Sequence, residues 1–122
     1  MPHKFDTFYD MLKLDRKNST WSSQNTMESR YDELLGEVQE IKEAIDRNDN
    51  LNLKEELGDT LWDLLFLVVL AEEKGLFTSD DIIQSSIDKL KRRKPWIFTG
   101  EKLDIAEEHR RWMKAKEIEK QQ

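Results

Sequence analysis

LLGEVQEIKEAIDRNDNLNLKEELGDTLWDLLFLVVLAEE, residues 34–73, carries apolar residues three and four apart on both sides of a short polar turn, NDN at 48–50. That period belongs to amphipathic helices, and a short turn between two of them predicts an antiparallel pair. The first helix is expected from about Thr26 to Arg47, with Tyr31, Leu34, Leu35, Val38, Ile41 and Ile45 on its buried face. The second should run from Leu53 to Lys74 and stop at Gly75, a residue suited to a left-handed C-terminal position. Its main buried stripe is expected at Leu57, Leu61, Leu64, Leu65 and Val68, while Asp59 and Asp63 lead into Phe66, Leu67 and Leu70 on another side. The half LLFLVVLA is therefore apolar all round, and such a helix is normally enclosed by neighbours or by a partner chain.

Working outward, Phe5, Phe8, Tyr9 and Leu12 form the stripe of an earlier helix. It should fade in RKNSTWSSQNT, residues 16–26, where Ser and Thr compete with helical backbone bonds, leaving Trp21 on a loop. After Gly75, Ser79 or Asp80 can cap a helix through Ile82, Ile83, Ile87 and Leu90 that ends at Pro95. From about residue 101 to 122 the chain reads as a charged C-terminal helix with a fraying tail. The expectation is a single all-α domain over 1–122, a four-helix-bundle-like protomer with an additional C-terminal helix, assembling through its helices.

Composition narrows the function classes. Lys+Arg 20 against Asp+Glu 26 gives a net charge of -6, which opposes general affinity for nucleic acid or an anionic membrane. The absence of cysteine excludes disulfides, thiolate zinc sites and thiol catalysis, and agrees with a reducing cytoplasm. LWDLLFLVVLA is short of the roughly 20 apolar residues a membrane span requires. No signal-peptide pattern is present at MPHKFDTFYD, so a soluble, cytoplasmic protein is expected.

Carboxylates within the most apolar part of a chain need a compensating charge or hydrogen bonds. Glu37-x-x-Glu40 and Glu56-x-x-Asp59 each place two acids about one turn apart, and an antiparallel pairing could bring all four together. A hard divalent cation is the natural compensation, Mg2+ first and Mn2+ as a substitute, because both prefer oxygen ligands. His3 and His109 lie outside these helices, so the Glu-x-x-His pattern of di-iron bundles is missing. Gly58, inside the second motif, points to close packing or a site, since an interior helical glycine costs about 1 kcal/mol against alanine. The ordinary reading is a solvated helix face, for acids three apart are common there.

Lys89, Arg92 and Arg93 fall within about one helical turn and could face a polyphosphate, or simply favour the end of the helix dipole. Trp21 and Trp96 could stack on a base or pack into the core. Trp62 suits a core or subunit interface. Asp63 suits a partner to a metal ligand, an extra ligand or an interhelical hydrogen bond.

With these residues in place, the chain resembles the MazG-like nucleoside triphosphate pyrophosphohydrolases, all-helical enzymes that release pyrophosphate and a nucleoside monophosphate. LLGEVQEIKEAI and LKEELGDTLWDLLF look like the family's paired acidic motif, which implies Glu37, Glu40, Glu56 and Asp59 as magnesium ligands and catalytic residues. EEKGLFTSDDIIQSSIDKLKRRKPWIF is similar to the segment carrying Lys89, Arg92, Arg93, Pro95 and Phe98. The resemblance implies that Trp21 and Gln24 belong to a substrate loop and that Trp112 and Lys116 belong to a closing helix. It also implies a nucleoside or deoxynucleoside triphosphate substrate, a homodimer or dimer-of-dimers tetramer, and a role in nucleotide-pool housekeeping. Lys94 and Trp96 stand where the family often has histidines, Gly36 replaces a frequent acid, and the Trp21-to-Gln24 spacing is one residue short. The alternatives are a noncatalytic helical protein-interaction module and a divalent-metal sensor without turnover.

Overall fold

The structure, a computed structural model, describes residues 3–122. Seven helices account for the regular structure among the described residues: α1 (Lys4–Asn18), α2 (Thr20–Ser23), α3 (Met27–Asp46), α4 (Asn50–Glu73), α5 (Ser79–Arg93), α6 (Trp96–Thr99) and α7 (Ile105–Gln121). No strand occurs among them, as the apolar period predicts. Contacts group the chain into two compact units, one ending at Ser79 and the other spanning Asp80–Gln122.

In the N-terminal unit α3 and α4 form the most extensive helix pair, and α1 packs on α4. Local chemistry fixes their ends. Thr26 and Ser29 make a reciprocal capping box, with Thr26 Oγ1 accepting from the Ser29 amide at 3.1 Å and Ser29 Oγ accepting from the Thr26 amide at 2.9 Å. Asn48 closes the α3 end at φ 55, a left-handed conformation that asparagine tolerates better than most residues. Asp49 then caps α4 by accepting from the Asn52 amide at 3.1 Å, so α4 begins at Asn50, three residues before the expected Leu53.

The segment 16–26 differs from the expected loop. α1 continues to Asn18, and Trp21 lies in the short helix α2, because Ser19 turns extended and its hydroxyl accepts from the Ser22 amide. Arg16 fastens this helix by donating from Nη1 to the carbonyls of Ser22 at 2.6 Å and Asn25 at 3.1 Å, while the Ser22 hydroxyl bonds to Asp15.

The inward sides of α3 and α4 also differ from the expected ones. Tyr9 and Leu12 of α1 meet Leu65 and Val69 of α4 in one core cluster, and Phe66, Leu70 and Ala71 are buried as well. Leu57, Leu61 and Leu64, expected to be buried, are exposed, as are Tyr31, Leu35, Val38 and Ile45 of α3. Of the expected stripes, Leu34 and Ile41 on α3 and Leu65 and Val68 on α4 are partly or fully buried, and Arg30, Glu37 and Ala44 on α3 and Glu56, Thr60 and Asp63 on α4 join them. The two helices thus turn their charged residues toward one another. Of the two readings of Gly58, close packing is not seen within this chain, since a Cβ there would meet nothing within 4 Å.

In the C-terminal unit Pro95 ends α5 and leads into α6, which closes at Gly100 with φ 77. Asp104 caps α7 by accepting from the Glu107 amide at 2.8 Å. Glu119 ties α7 to the end of α5 through Arg92 Nε at 2.7 Å and Arg93 Nη2 at 2.8 Å.

Candidate metal centre and adjoining cavity

Helical spacing on α3 and α4 brings the acidic motifs together. Glu37, Glu56 and Asp59 each offer a carboxylate oxygen, all within 4.8 Å of one another. Glu40, one turn from Glu37, is the fourth acid beside them: the Glu56 carboxyl is held up to about 8 first by sharing a proton with Glu40, next by doing so with Glu37, then by burial and by the negative charge of both. The Glu37 carboxyl is also raised, chiefly by burial and further by Glu40 and Asp59, against a hydrogen bond with Glu56 that pulls it down. As carboxylates, Glu37 Oε2 and Glu56 Oε2 are buried with no donor. Oxygens left in that state cost free energy until a proton or cation lies between them. Oxygen donors alone, several of them anionic, suit a hard divalent ion such as magnesium or manganese.

A cavity of about 260 Å³ adjoins this cluster, with Glu37 and Asp59 in its wall. Trp21 and Trp62 also line it, and both indoles are exposed. Trp62 meets Phe8 edge to face, with ring centroids 6.1 Å apart. Arg30 and Asp63 complete the wall as a buried ion pair, Nη2 to Oδ1 at 3.0 Å, with Arg30 only 3% exposed. The Arg30 guanidinium lies 4.2 Å from the Phe66 ring centroid and 5.2 Å from that of Trp21, distances at which cation–π attraction operates. Burial raises the Asp63 pKa; Arg30 opposes the rise, whereas Glu33 and Asp59 add to it. Asp63 is thus the interhelical partner among the alternatives its spacing offers. Asp15, Ser19, Ser22, Arg30 and Glu33 are wall residues that motif reading misses. For Arg30 a signal exists, since it continues the Leu34, Glu37, Ile41 line at helical spacing.

The remaining candidates lie elsewhere. Gln24 is exposed at the end of α2 and does not line this cavity. Lys89 is exposed on α5, Arg92 and Arg93 pair with Glu119, and Arg93 stacks over Trp112 at 4.9 Å. Trp96 departs from the expected role of base platform: it is 4% exposed, donates from Nε1 to Glu108 at 2.9 Å and packs inside the C-terminal unit. Its position after Pro95 turns the ring inward as the backbone enters α6.

Clustered carboxylates on paired helices, with an aromatic cavity beside them, make a candidate metal centre in an all-helical protein. Residues 25–98 match the MazG nucleotide pyrophosphohydrolase domain, and the chain belongs to that family. It is 41% identical over 78 residues to the nucleoside triphosphate pyrophosphohydrolase/pyrophosphatase MazG of Thermotoga maritima, covering 64% of this chain and 31% of that one. It is 32% identical over 117 residues to the nucleoside triphosphate pyrophosphohydrolase of Escherichia coli K12, covering 95% of this chain and 44% of the relative. The chain therefore spans less than half the length of these curated relatives. The crystal structure of a mazG-related protein from Thermotoga maritima superimposes with a TM-score of 0.87 at 28% identity, over 92% of this chain and 98% of that one.

Proposed function

We propose that this protein is a divalent-metal-dependent nucleoside triphosphate pyrophosphohydrolase, converting a (d)NTP and water to a (d)NMP and pyrophosphate. The observation that carries the reading is the convergence of Glu37, Glu56 and Asp59, with two donorless buried oxygens, beside an aromatic cavity whose wall includes Glu37 and Asp59. Glu37, Glu40, Glu56 and Asp59 are the proposed metal ligands. Magnesium, or manganese in its place, would offset phosphate charge there and lower the pKa of a bound water. The cavity takes the nucleoside, with Trp21 and Trp62 offering stacking faces. Lys89, Arg92 and Arg93 are proposed to neutralise the phosphate tail, with Gln24, Trp112 and Lys116 in supporting contacts.

In the reaction a water oxygen bonds to the α-phosphorus, the bond to the α,β-bridging oxygen breaks, and pyrophosphate leaves with the electron pair. A carboxylate of the cluster accepts the water's proton, the general-base role open to a positioned acid. The exposed apolar faces of α3 and α4 support assembly as a homodimer or a dimer of dimers. Nucleotide-pool housekeeping in the cytoplasm is the cellular role that fits this chemistry. Turnover in oxygen-18-labelled water tests the bond cleaved: label is expected in the nucleoside monophosphate, and label confined to pyrophosphate or orthophosphate would contradict attack at the α-phosphorus.

A further inference from the structure

The cavity beside the acidic cluster is lined by five carboxylates, Asp15, Glu33, Glu37, Asp59 and Asp63, and by one guanidinium, that of Arg30. With Glu37 and Asp59 assigned to the metal, three acids stand there against one cation. We propose that Arg30 and Asp63 choose the nucleobase, selecting one that carries an amino group beside an unprotonated ring nitrogen, cytosine or adenine, over its oxo counterpart. The inference rests on the nucleotide reading above and adds to it the residues that set base preference.

Three observations support it. The first is an unused donor. Arg30 is 3% exposed, and its Nε is buried with no hydrogen-bond partner, while Nη2 donates to Asp63 Oδ1 at 3.0 Å. A buried N–H without a partner costs free energy that an incoming acceptor recovers. The ring nitrogen N3 of cytosine or N1 of adenine is such an acceptor. In uracil and hypoxanthine the same position is an N–H, which would meet the guanidinium donor to donor.

The second is an unused acceptor. The one hydrogen bond that Asp63 makes among the described residues uses Oδ1, so Oδ2 keeps its acceptor capacity. The amine next to the ring nitrogen supplies an N–H to it, a pairing that carboxylates make with cytosine in base readout. An oxo oxygen at that position would meet the carboxylate acceptor to acceptor, in a wall already rich in negative charge. The third is fixed position. The guanidinium lies 4.2 Å from the Phe66 ring centroid and 5.2 Å from that of Trp21, and the ion pair holds its other side. A donor and acceptor fixed in advance lose little side-chain freedom on binding and do not rearrange to suit the wrong base.

The test is binding of α,β-methylene nucleoside triphosphates to the full chain with magnesium, read by fluorescence of the tryptophans in the cavity wall. A methylene group replaces the oxygen at the bond to be broken, so no turnover occurs. The cytidine and uridine analogues form one pair and the adenosine and inosine analogues another, each differing only in amino against oxo. Wild type is expected to bind the amino member of each pair about tenfold tighter, as for one well-placed pair of base contacts. Arg30→Leu/Asp63→Leu removes both polar groups without stranding a charge and should bind the two members of each pair equally. Asp63→Asn, whose amide can donate to an oxo group, should narrow the preference and keeps the test valid if the double variant unfolds.

A pair that only locks α3 to α4 would change affinity for both members alike and leave their ratio untouched. Equal binding of amino and oxo members by wild type, tighter binding of the oxo members, or a ratio unchanged in the folded variants overturns the inference. A wild type that binds none of the four analogues would overturn the nucleotide reading with it. A chain that cleaves nucleotides but shows no preference loses only the present inference, and one that prefers the amino members without cleaving any nucleotide loses only the hydrolase.

Discussion

Arg30 and Asp63 show how single residues set this site. Their buried pair joins α3 to α4, while the guanidinium also lies between Phe66 and Trp21. Removing one partner strands the other charge away from water. Arg30→Leu is therefore expected to cost about 3–5 kcal/mol of stability in urea unfolding, and Arg30→Leu/Asp63→Leu to recover most of it. Equal losses in the single and double variants would show that the pair is not the source. The ionic link was half legible in the sequence: Asp63 was open to an interhelical hydrogen bond, but its partner stands 33 positions away and belongs to neither acidic motif. The acids of those motifs were legible, since two short spacings on neighbouring helices suffice to bring them together.

At the scale of elements, the α3–α4 pair holds acids that repel one another. The Glu56 carboxyl is raised from 4.5 to about 8, so the metal-free folded chain binds more protons than the unfolded one between those values. Its stability should consequently fall as pH rises from 4.5 toward 8. The contribution is fully present below the unfolded value and is lost as pH passes the folded one. Saturating magnesium should abolish the fall, because the cation takes the place of the shared proton. Thermal melts across this range, with and without magnesium, check it; curves that coincide would speak against metal at these acids. Periodicity made the helices readable, but not which stripe turns inward. α3 and α4 each carry two apolar faces, and the inward one holds the Arg30–Asp63 pair with Glu37 and Glu56 partly buried beside it, leaving Leu57, Leu61 and Leu64 outside. The α2 segment was missed for a different reason. Its helix depends on the side chains of Ser19, Asp15 and Arg16, contacts that local propensity does not count.

At the scale of the whole molecule, Leu57, Leu61 and Leu64 on α4, together with Leu35 and Val38 on α3, leave an apolar surface that an isolated chain would expose. Large apolar side chains exposed in this number on two neighbouring helices favour a covering partner. Leu61→Glu/Leu64→Glu is expected to shift the protein in light scattering from a dimer or tetramer to a monomer with its helical content retained. A wild-type protein that is monomeric and fully active would contradict assembly through this face. The central claim remains that the clustered acids of α3 and α4 hold a catalytic metal. The most direct measurement is pyrophosphate release from a panel of nucleoside and deoxynucleoside triphosphates, with and without magnesium, in wild type and Asp59→Asn. Magnesium-dependent release, lowered at least about 100-fold in a folded Asp59→Asn, is the predicted result; undiminished release in that variant, or none from any triphosphate by the folded wild type, would contradict the account.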